Sequence, residues 1–222
     1  MSLKTTSFIR TIYSSSKVSI LILSLLLFSS VKAADLQLGQ AAYKAKDYRK
    51  AIQEFQPLAE QGHAAGQYHL GLMYSRGFGV TKDYEQGVKW FALAAEQEHA
   101  LAQGHLGNMY YTGKGVTKDY KTAVKWLTLS AEQGEVLAQY HLGTIYKAGK
   151  GVTKDYKLAV KWLALAAEQG YADAQSILGH MFEKGRGVAQ NFKTAFKWYT
   201  LAAEQEQPLA QHILGLMYSK GQ

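Results

Sequence analysis

A Leu-Gly pair recurs every 36 residues along this chain, at Leu70-Gly71, Leu106-Gly107, Leu142-Gly143, Leu178-Gly179 and Leu214-Gly215. The same step carries Trp90, Trp126, Trp162 and Trp198, and a row of Gln67, Gln103, Gln139, Gln175 and Gln211. It also carries Tyr84, Tyr120, Tyr156 and Phe192, and the glycine pairs Gly77/Gly79, Gly113/Gly115, Gly149/Gly151 and Gly185/Gly187, each followed by Val. So many registers held over four periods restrict the chain to a repeat architecture, in which each unit packs on the next.

Each period reads as two helices. Ala102, Leu106, Met109 and Tyr110 fall at i, i+4, i+7 and i+8, one helical stripe. Gly113-Lys-Gly-Val ends it, because glycine supplies the positive φ of a helix C-cap and tight turn. Asp83, Asp119, Asp155 and Asn191 then stand as N-caps of a second helix. In that helix Tyr120, Ala123, Val124, Leu127 and Ala131 form a stripe, and Trp126 lies off it, so the helix is sandwiched between neighbours. The expected fold is an all-α, right-handed α/α solenoid of 36-residue helix-turn-helix repeats over residues 34–222, about five and a half units. The first unit lacks the Gly-x-Gly-Val insert and has Glu54 where Trp recurs, as suits an end cap.

The unit A-x-A-Q-x-x-L-G-x-M-Y-x-x-G-x-G-V-x-x-D-Y-x-x-A-x-K-W-x-x-L-A-A-E-Q-G, carried by Ala100 through Gln133 and its equivalents, resembles the Sel1-like repeat, a relative of the tetratricopeptide repeat. The resemblance covers about residues 35–222. It implies a superhelix with a concave partner-binding face, and a role as adaptor in signalling, secretion, envelope stress or host interaction. A secreted, cysteine-rich branch carries a disulfide in each repeat, and penicillin binding is attributed to some members. This chain has no cysteine and departs from that branch. Disulfides, thiolate metal sites, a cysteine nucleophile and a lipid-modified N-terminal cysteine are excluded together.

Residues 1–17 carry Lys4, Arg10 and Lys17 among Ser and Thr, residues 18–28 read VSILILSLLLF, and Val31-Lys32-Ala33 places small or β-branched residues at a cleavage site. This pattern predicts a signal peptide over 1–33, cut after Ala33, and a periplasmic or secreted protein with no stable membrane span after cleavage. Those residues hold four of the basic residues and no acid; the remainder has 21 basic and 17 acidic residues, a net of +4. So small a charge does not point to nucleic acid.

No cofactor or metal is expected. His69, His105 and His141 share a register with Ile177 and Ile213, which marks a half-buried packing position, and successive copies lie too far apart to share a zinc ion at about 2.0–2.1 Å. Gly-Lys-Gly-Val-Thr-Lys at 113–118 and 149–154 lacks phosphate-loop spacing. Lys89, Lys125, Lys161 and Lys197 with Glu60, Glu96, Glu132, Glu168 and Glu204 read as a solvated outer face. The Trp row reads as core: one Trp removes roughly 150–250 Å² from water, so Trp126→Ala is expected to cost about 3–5 kcal/mol.

Positions identical in every copy serve stacking; positions that change are free for a partner. By the register of the tetratricopeptide relatives, four variable rows face inward. They are Tyr68/Gly104/Tyr140/Ser176/His212, Leu72/Asn108/Thr144/His180/Leu216, Ser75/Tyr111/Lys147/Glu183/Ser219 and Arg76/Thr112/Ala148/Lys184/Lys220. From them Tyr68, Leu72, Arg76, Asn108, Tyr111, Tyr140, Thr144, Lys147, His180, Glu183 and Lys184 are the candidate contacts for a protein or extended peptide. The competing expectation is a secreted hydrolase or a cell-wall- or β-lactam-active protein of the cysteine-rich branch. No Ser/His/Asp motif, carboxylate pair or metal spacing supports catalysis.

Overall fold

The computed structural model describes residues 35–219; the expected signal peptide and its cleavage site lie outside the described residues. Within them the chain is helical throughout, with no strand. Helix α1 spans residues 35–44. It is followed by α2 (Tyr48–Glu60), α3 (Ala64–Arg76), α4 (Tyr84–Glu96), α5 (Ala100–Thr112), α6 (Tyr120–Glu132) and α7 (Val136–Ala148). Then come α8 (Tyr156–Glu168), α9 (Ala172–Lys184), α10 (Phe192–Ala203) and α11 (Pro208–Ser219). Odd-numbered helices are the first of each pair, even-numbered ones the second. From α2 onward the strongly packed pairs are all consecutive in the chain, so the fold is an α/α solenoid. Its apolar residues form a string of clusters, each built from adjacent helices.

The caps fall where the sequence places them. Asp83 Oδ1 accepts from the Gln86 amide at 3.0 Å, Asp119 from Lys121 at 2.9 Å, and Asn191 from Thr194 at 2.9 Å. Gly113 closes α5 in the left-handed region, its amide donating to the Met109 carbonyl. The second insert glycine has a different duty: it lies against the start of the preceding second helix. A Cβ on Gly79 would meet the Tyr48 carbonyl oxygen at 2.8 Å, and Gly115 and Gly187 face the Tyr84 and Tyr156 carbonyls in the same way. The insert therefore docks one repeat on the one before it. The first unit has no second helix before it among the described residues, and it has no insert.

The Leu-Gly pair brings first and second helices together. Gly71 faces the Phe91 ring and Gly107 the Leu127 side chain, at 2.6 and 2.7 Å from a Cβ built there. Those facing residues are the centre of the fold: Phe55, Phe91, Leu127, Leu163 and Tyr199 are each at most 1% exposed. Here the structure corrects the emphasis placed on tryptophan. Trp162 is buried, but Trp90, Trp126 and Trp198 are half-buried. Each closes the outer edge of the preceding cluster, and Lys125 lies over the Trp126 ring at 5.5 Å. The invariant residue seals a seam between repeats, while the variable residue after it fills the core.

The glutamine row is a buried ladder. Gln103 Nε2 donates to the Ala95 carbonyl at 3.1 Å, clipping the end of α4, and Gln103 Oε1 accepts from Gln133 Nε2 at 2.8 Å. Gln67, Gln139 and Gln175 repeat both contacts one unit away. Gln103→Leu removes one of two hydrogen bonds at each partner: the Ala95 carbonyl keeps the Glu98 amide, and Gln133 Nε2 keeps the Leu129 carbonyl. The loss of these bonds is expected to lower stability by about 0.5–1.5 kcal/mol, read as a fall in the urea midpoint; an unchanged midpoint would show that the ladder is ornamental.

Candidate interaction surface

Three depressions lie along the first helices, and some of the residues that line them repeat in register. One depression, of about 560 Å³, is bounded by Tyr68, Leu72, Arg76, His69, His99 and Leu101, with Gln40, Tyr43, Lys44 and Ala65 from earlier in the chain. A second, of about 90 Å³, lies between α5 and α7 and includes Asn108. A third, of about 260 Å³, is bounded by His180, Glu183, Lys184, Phe192, Ile213, Leu216 and Met217. The 36-residue step brings two registers to all three, that of Leu72, Asn108, His180 and Leu216 and that of His69, His105 and Ile213.

Aromatic ring pairs recur along the first helices. Tyr68 lies on His99 with ring centres 4.8 Å apart, and Tyr140 lies 4.9 Å from Tyr171, the equivalent position two repeats later. Burial pushes the Tyr68 hydroxyl up to about 12 and raises that of Tyr140 as well, so both remain hydrogen-bond donors. Beneath them His69 stacks flat on Phe55 at 4.3 Å and His105 on Phe91 at 5.0 Å. This contact explains why Ile177 and Ile213 occupy the same register: the imidazole serves as a flat apolar lid over the core residue 14 positions earlier. Among the described residues no group of three or more His, Cys, Asp or Glu stands together as a metal site.

Burial lowers the His69 and His105 imidazoles from about 6.5 to about 4. The unfolded chain then binds protons first as pH falls, so the folded state loses stability between roughly pH 6.5 and pH 4 and is unaffected by these groups above that window. The melting temperature is expected to drop across this range. His69→Ile with His105→Ile, the residue natural to the register, should flatten the drop; an equally steep profile in the double variant would assign it elsewhere.

The candidate contacts differ in availability. Arg76 is exposed, with Nη1 3.5 Å from the Tyr43 hydroxyl. Asn108, Thr144 and Lys147 are half-buried, and Thr144 Oγ1 donates to the His141 carbonyl at 2.7 Å. Leu72, at 6% exposed, belongs to the core cluster that includes Phe91 and Leu106; it supports the face from below. Tyr111 packs between repeats, 5.3 Å from Tyr120, its hydroxyl accepting from Lys150 Nζ at 3.1 Å. Glu183 is occupied by Lys184 at 2.6 Å, the Tyr199 hydroxyl at 2.9 Å and His180 at 3.7 Å. The sequence rows omitted Leu101 and Leu137, which share a register and are 41% and 55% exposed. They were legible as another variable row, Ala65/Leu101/Leu137/Asp173/Leu209.

An α/α solenoid with constant seams and a varied first-helix face is a repeat protein of the scaffold class. The chain belongs to the Sel1 repeat family: the Sel1 repeat model matches residues 32–63, 64–99, 100–135, 136–171, 172–206 and 208–222. The structure is similar to that of a protective antigen of uropathogenic Escherichia coli with an SLR fold, at 40% identity and a TM-score of 0.81, over 86% of this chain and 42% of that one. The chain thus spans about two fifths of that antigen. It is also similar to a Sel1 repeat protein from Oxalobacter formigenes, at 35% identity and a TM-score of 0.80, over 84% of this chain and 74% of that one. A Klebsiella pneumoniae repeat protein, 22% identical with a TM-score of 0.56, shares the fold. No curated protein matches the chain. No helix of the described residues is long and apolar enough to cross a membrane.

Proposed function

We propose that the chain is an exported, non-catalytic scaffold that holds an extended peptide or a protein surface along its concave, first-helix face, acting as an adaptor in envelope, secretion, stress or host-interaction processes. The observation that carries this reading is the division of labour between registers. The constant Leu-Gly, Gln, Trp and insert-glycine positions are consumed in stacking, whereas residues of the registers that vary line depressions along the first helices, the first of them beside Tyr68. Tyrosine offers large contact area and a hydroxyl at low conformational cost. Export is supported by the charged, then apolar, then small-residue order of residues 1–33. It also fits the similarity to a protein described as a protective antigen.

The test is capture by crosslinking in the native envelope and secretome, with a parallel bait carrying Tyr68→Ala and Tyr140→Ala whose helical melt is checked. Enrichment of one protein by the wild type, lost in the variant, is the expected result. Equal capture by both baits would move binding to the outer face or the inserts. Turnover of nitrocefin or peptidoglycan above a blank would replace the scaffold reading with an enzymatic one.

A further inference from the structure

The tyrosine row of the first helices is interrupted at Gly104, and the interruption is a shaped site. In the unit before, Tyr68 lies on His99 and 5.8 Å from His105; in the unit after, Tyr140 lies by Tyr171 and 5.4 Å from His141. The intervening unit has no ring in that place. It has an open notch of about 90 Å³ bounded by Leu101, Gly104, His105, Glu135, Leu137 and His141. At the register where His99 and Tyr171 supply the second ring of each aromatic pair, this unit carries Glu135. Ser176, the other small residue of the row, is 2% exposed, so no such opening lies over it.

The notch is apolar along its sides and charged at one end. Leu101 and Leu137 present exposed side chains to it. Burial lowers the pKa values of His105 and His141, which keeps both imidazoles neutral. Among the described residues the Glu135 carboxylate has no hydrogen bond or ion pair: it does not cap its helix, and the salt bridges lie elsewhere. Partial desolvation raises its pKa. A half-buried carboxylate with no cation in the surrounding wall is stabilised by a cation brought from outside. Lysine and arginine combine the two features required, an apolar stem and a charged donor at its tip.

We propose that the notch at Gly104 receives one long basic side chain, lysine or arginine, of an extended peptide lying along the first-helix face. The stem rests on Leu101 and Leu137 and the charged head pairs with Glu135. This rests on the groove-binding reading above and adds to it the identity of a specificity-determining side chain. An aromatic side chain would satisfy the walls but leave the carboxylate without a partner, and an acidic one would be repelled by it.

The neighbouring repeats supply the test variant. Where the row carries tyrosine, the facing second-helix position is Ala94 or Ala166; opposite Gly104 it is Ser130, whose Oγ would lie 2.9 Å from a Cβ there. Gly104→Tyr with Ser130→Ala therefore fills the notch with the chain's own pattern, and its melt reports whether it folds. Glu135→Gln is a second, isosteric variant. Dodecapeptides are selected from a random phage-displayed library on the full chain, synthesised, and measured by fluorescence anisotropy. The expected result is a fixed Lys or Arg at one position and at least about 10-fold weaker binding to either variant. Citrulline in place of that Arg (or norleucine in place of Lys) should cost the same on the wild type and nothing further on Glu135→Gln.

Peptides that lose binding with Tyr140→Ala, carry no fixed basic residue and bind both notch variants like the wild type would overturn the notch while leaving groove binding in place. A fixed aromatic residue, lost with the filled notch and indifferent to Glu135→Gln, would overturn the basic occupant. Peptides insensitive to every groove variant, or no selected peptide at all, would count against both readings.

Discussion

Phe91→Ala is expected to cost about 3–5 kcal/mol of stability and to disorganise the face above it. Phe91 is 1% exposed, faces Gly71 where no side chain can fill the space left, and supports both His105 and Tyr68 from below. Truncation leaves a cavity between α3 and α4 that the backbone cannot close. Trp126→Ala, which sequence constancy ranks as the costly change, removes a ring that is only partly buried, with Lys125 lying over it. Denaturant titration of the two variants is expected to show the larger midpoint shift for Phe91→Ala. The reverse order would mean that the seams, rather than the intra-repeat contacts, dominate stability.

Gly115→Ala is the second large effect. Its φ is +71°, in the left-handed region, and the new methyl group would run into the Tyr84 carbonyl and the Glu85 amide of the preceding second helix. Backbone strain of about 1–3 kcal/mol and steric displacement of about 1–3 kcal/mol act together at the joint between repeats. An expected loss of about 3–5 kcal/mol follows, with a less cooperative melt. Gly134→Ala is the internal comparison: its φ is +93°, but nothing lies within 4 Å of the added methyl. That register also tolerates Glu98 and Glu206, each at φ +61°, so the cost there is confined to backbone strain of about 1–2 kcal/mol. Equal losses for the two substitutions would remove the insert from its role as an inter-repeat contact.

The period, the helix pairs, the Asp and Asn caps and the left-handed glycines were all legible in the sequence, because each depends on local chemistry that residue type announces. Partnership was less legible. The glutamine row is visible as a repeat, but a period does not say that Gln103 joins Ala95 to Gln133, residues on helices either side of it. The core was partly misplaced for a related reason. Position 91 and its equivalents vary as Phe, Phe, Leu, Leu and Tyr because a buried site opposite glycine accepts several volumes, whereas the Trp seam is constrained by shape on two repeats at once. On the candidate face, Tyr68, Arg76 and Asn108 line depressions. Leu72 and Glu183 belong to the rows expected to face a partner, yet one is buried and the other is held by Lys184 and Tyr199. The notch at Gly104 is invisible as a gap until its neighbours' rings are in place.

Site-specific photocrosslinking distinguishes recognition by the first-helix face from recognition by the second helices. A photoreactive residue is placed singly at Arg76, Asn108 and Lys147 on the first-helix face, and at Lys89, Lys125 and Lys161 on the exposed side of the second helices. The full chain is then irradiated in its native envelope. Binding along the first-helix face is expected to give one discrete adduct shared by the first three positions and absent from the other three. Adducts formed from the second-helix positions alone would contradict it, and would assign recognition to the outer face that the constant lysine and glutamate rows occupy.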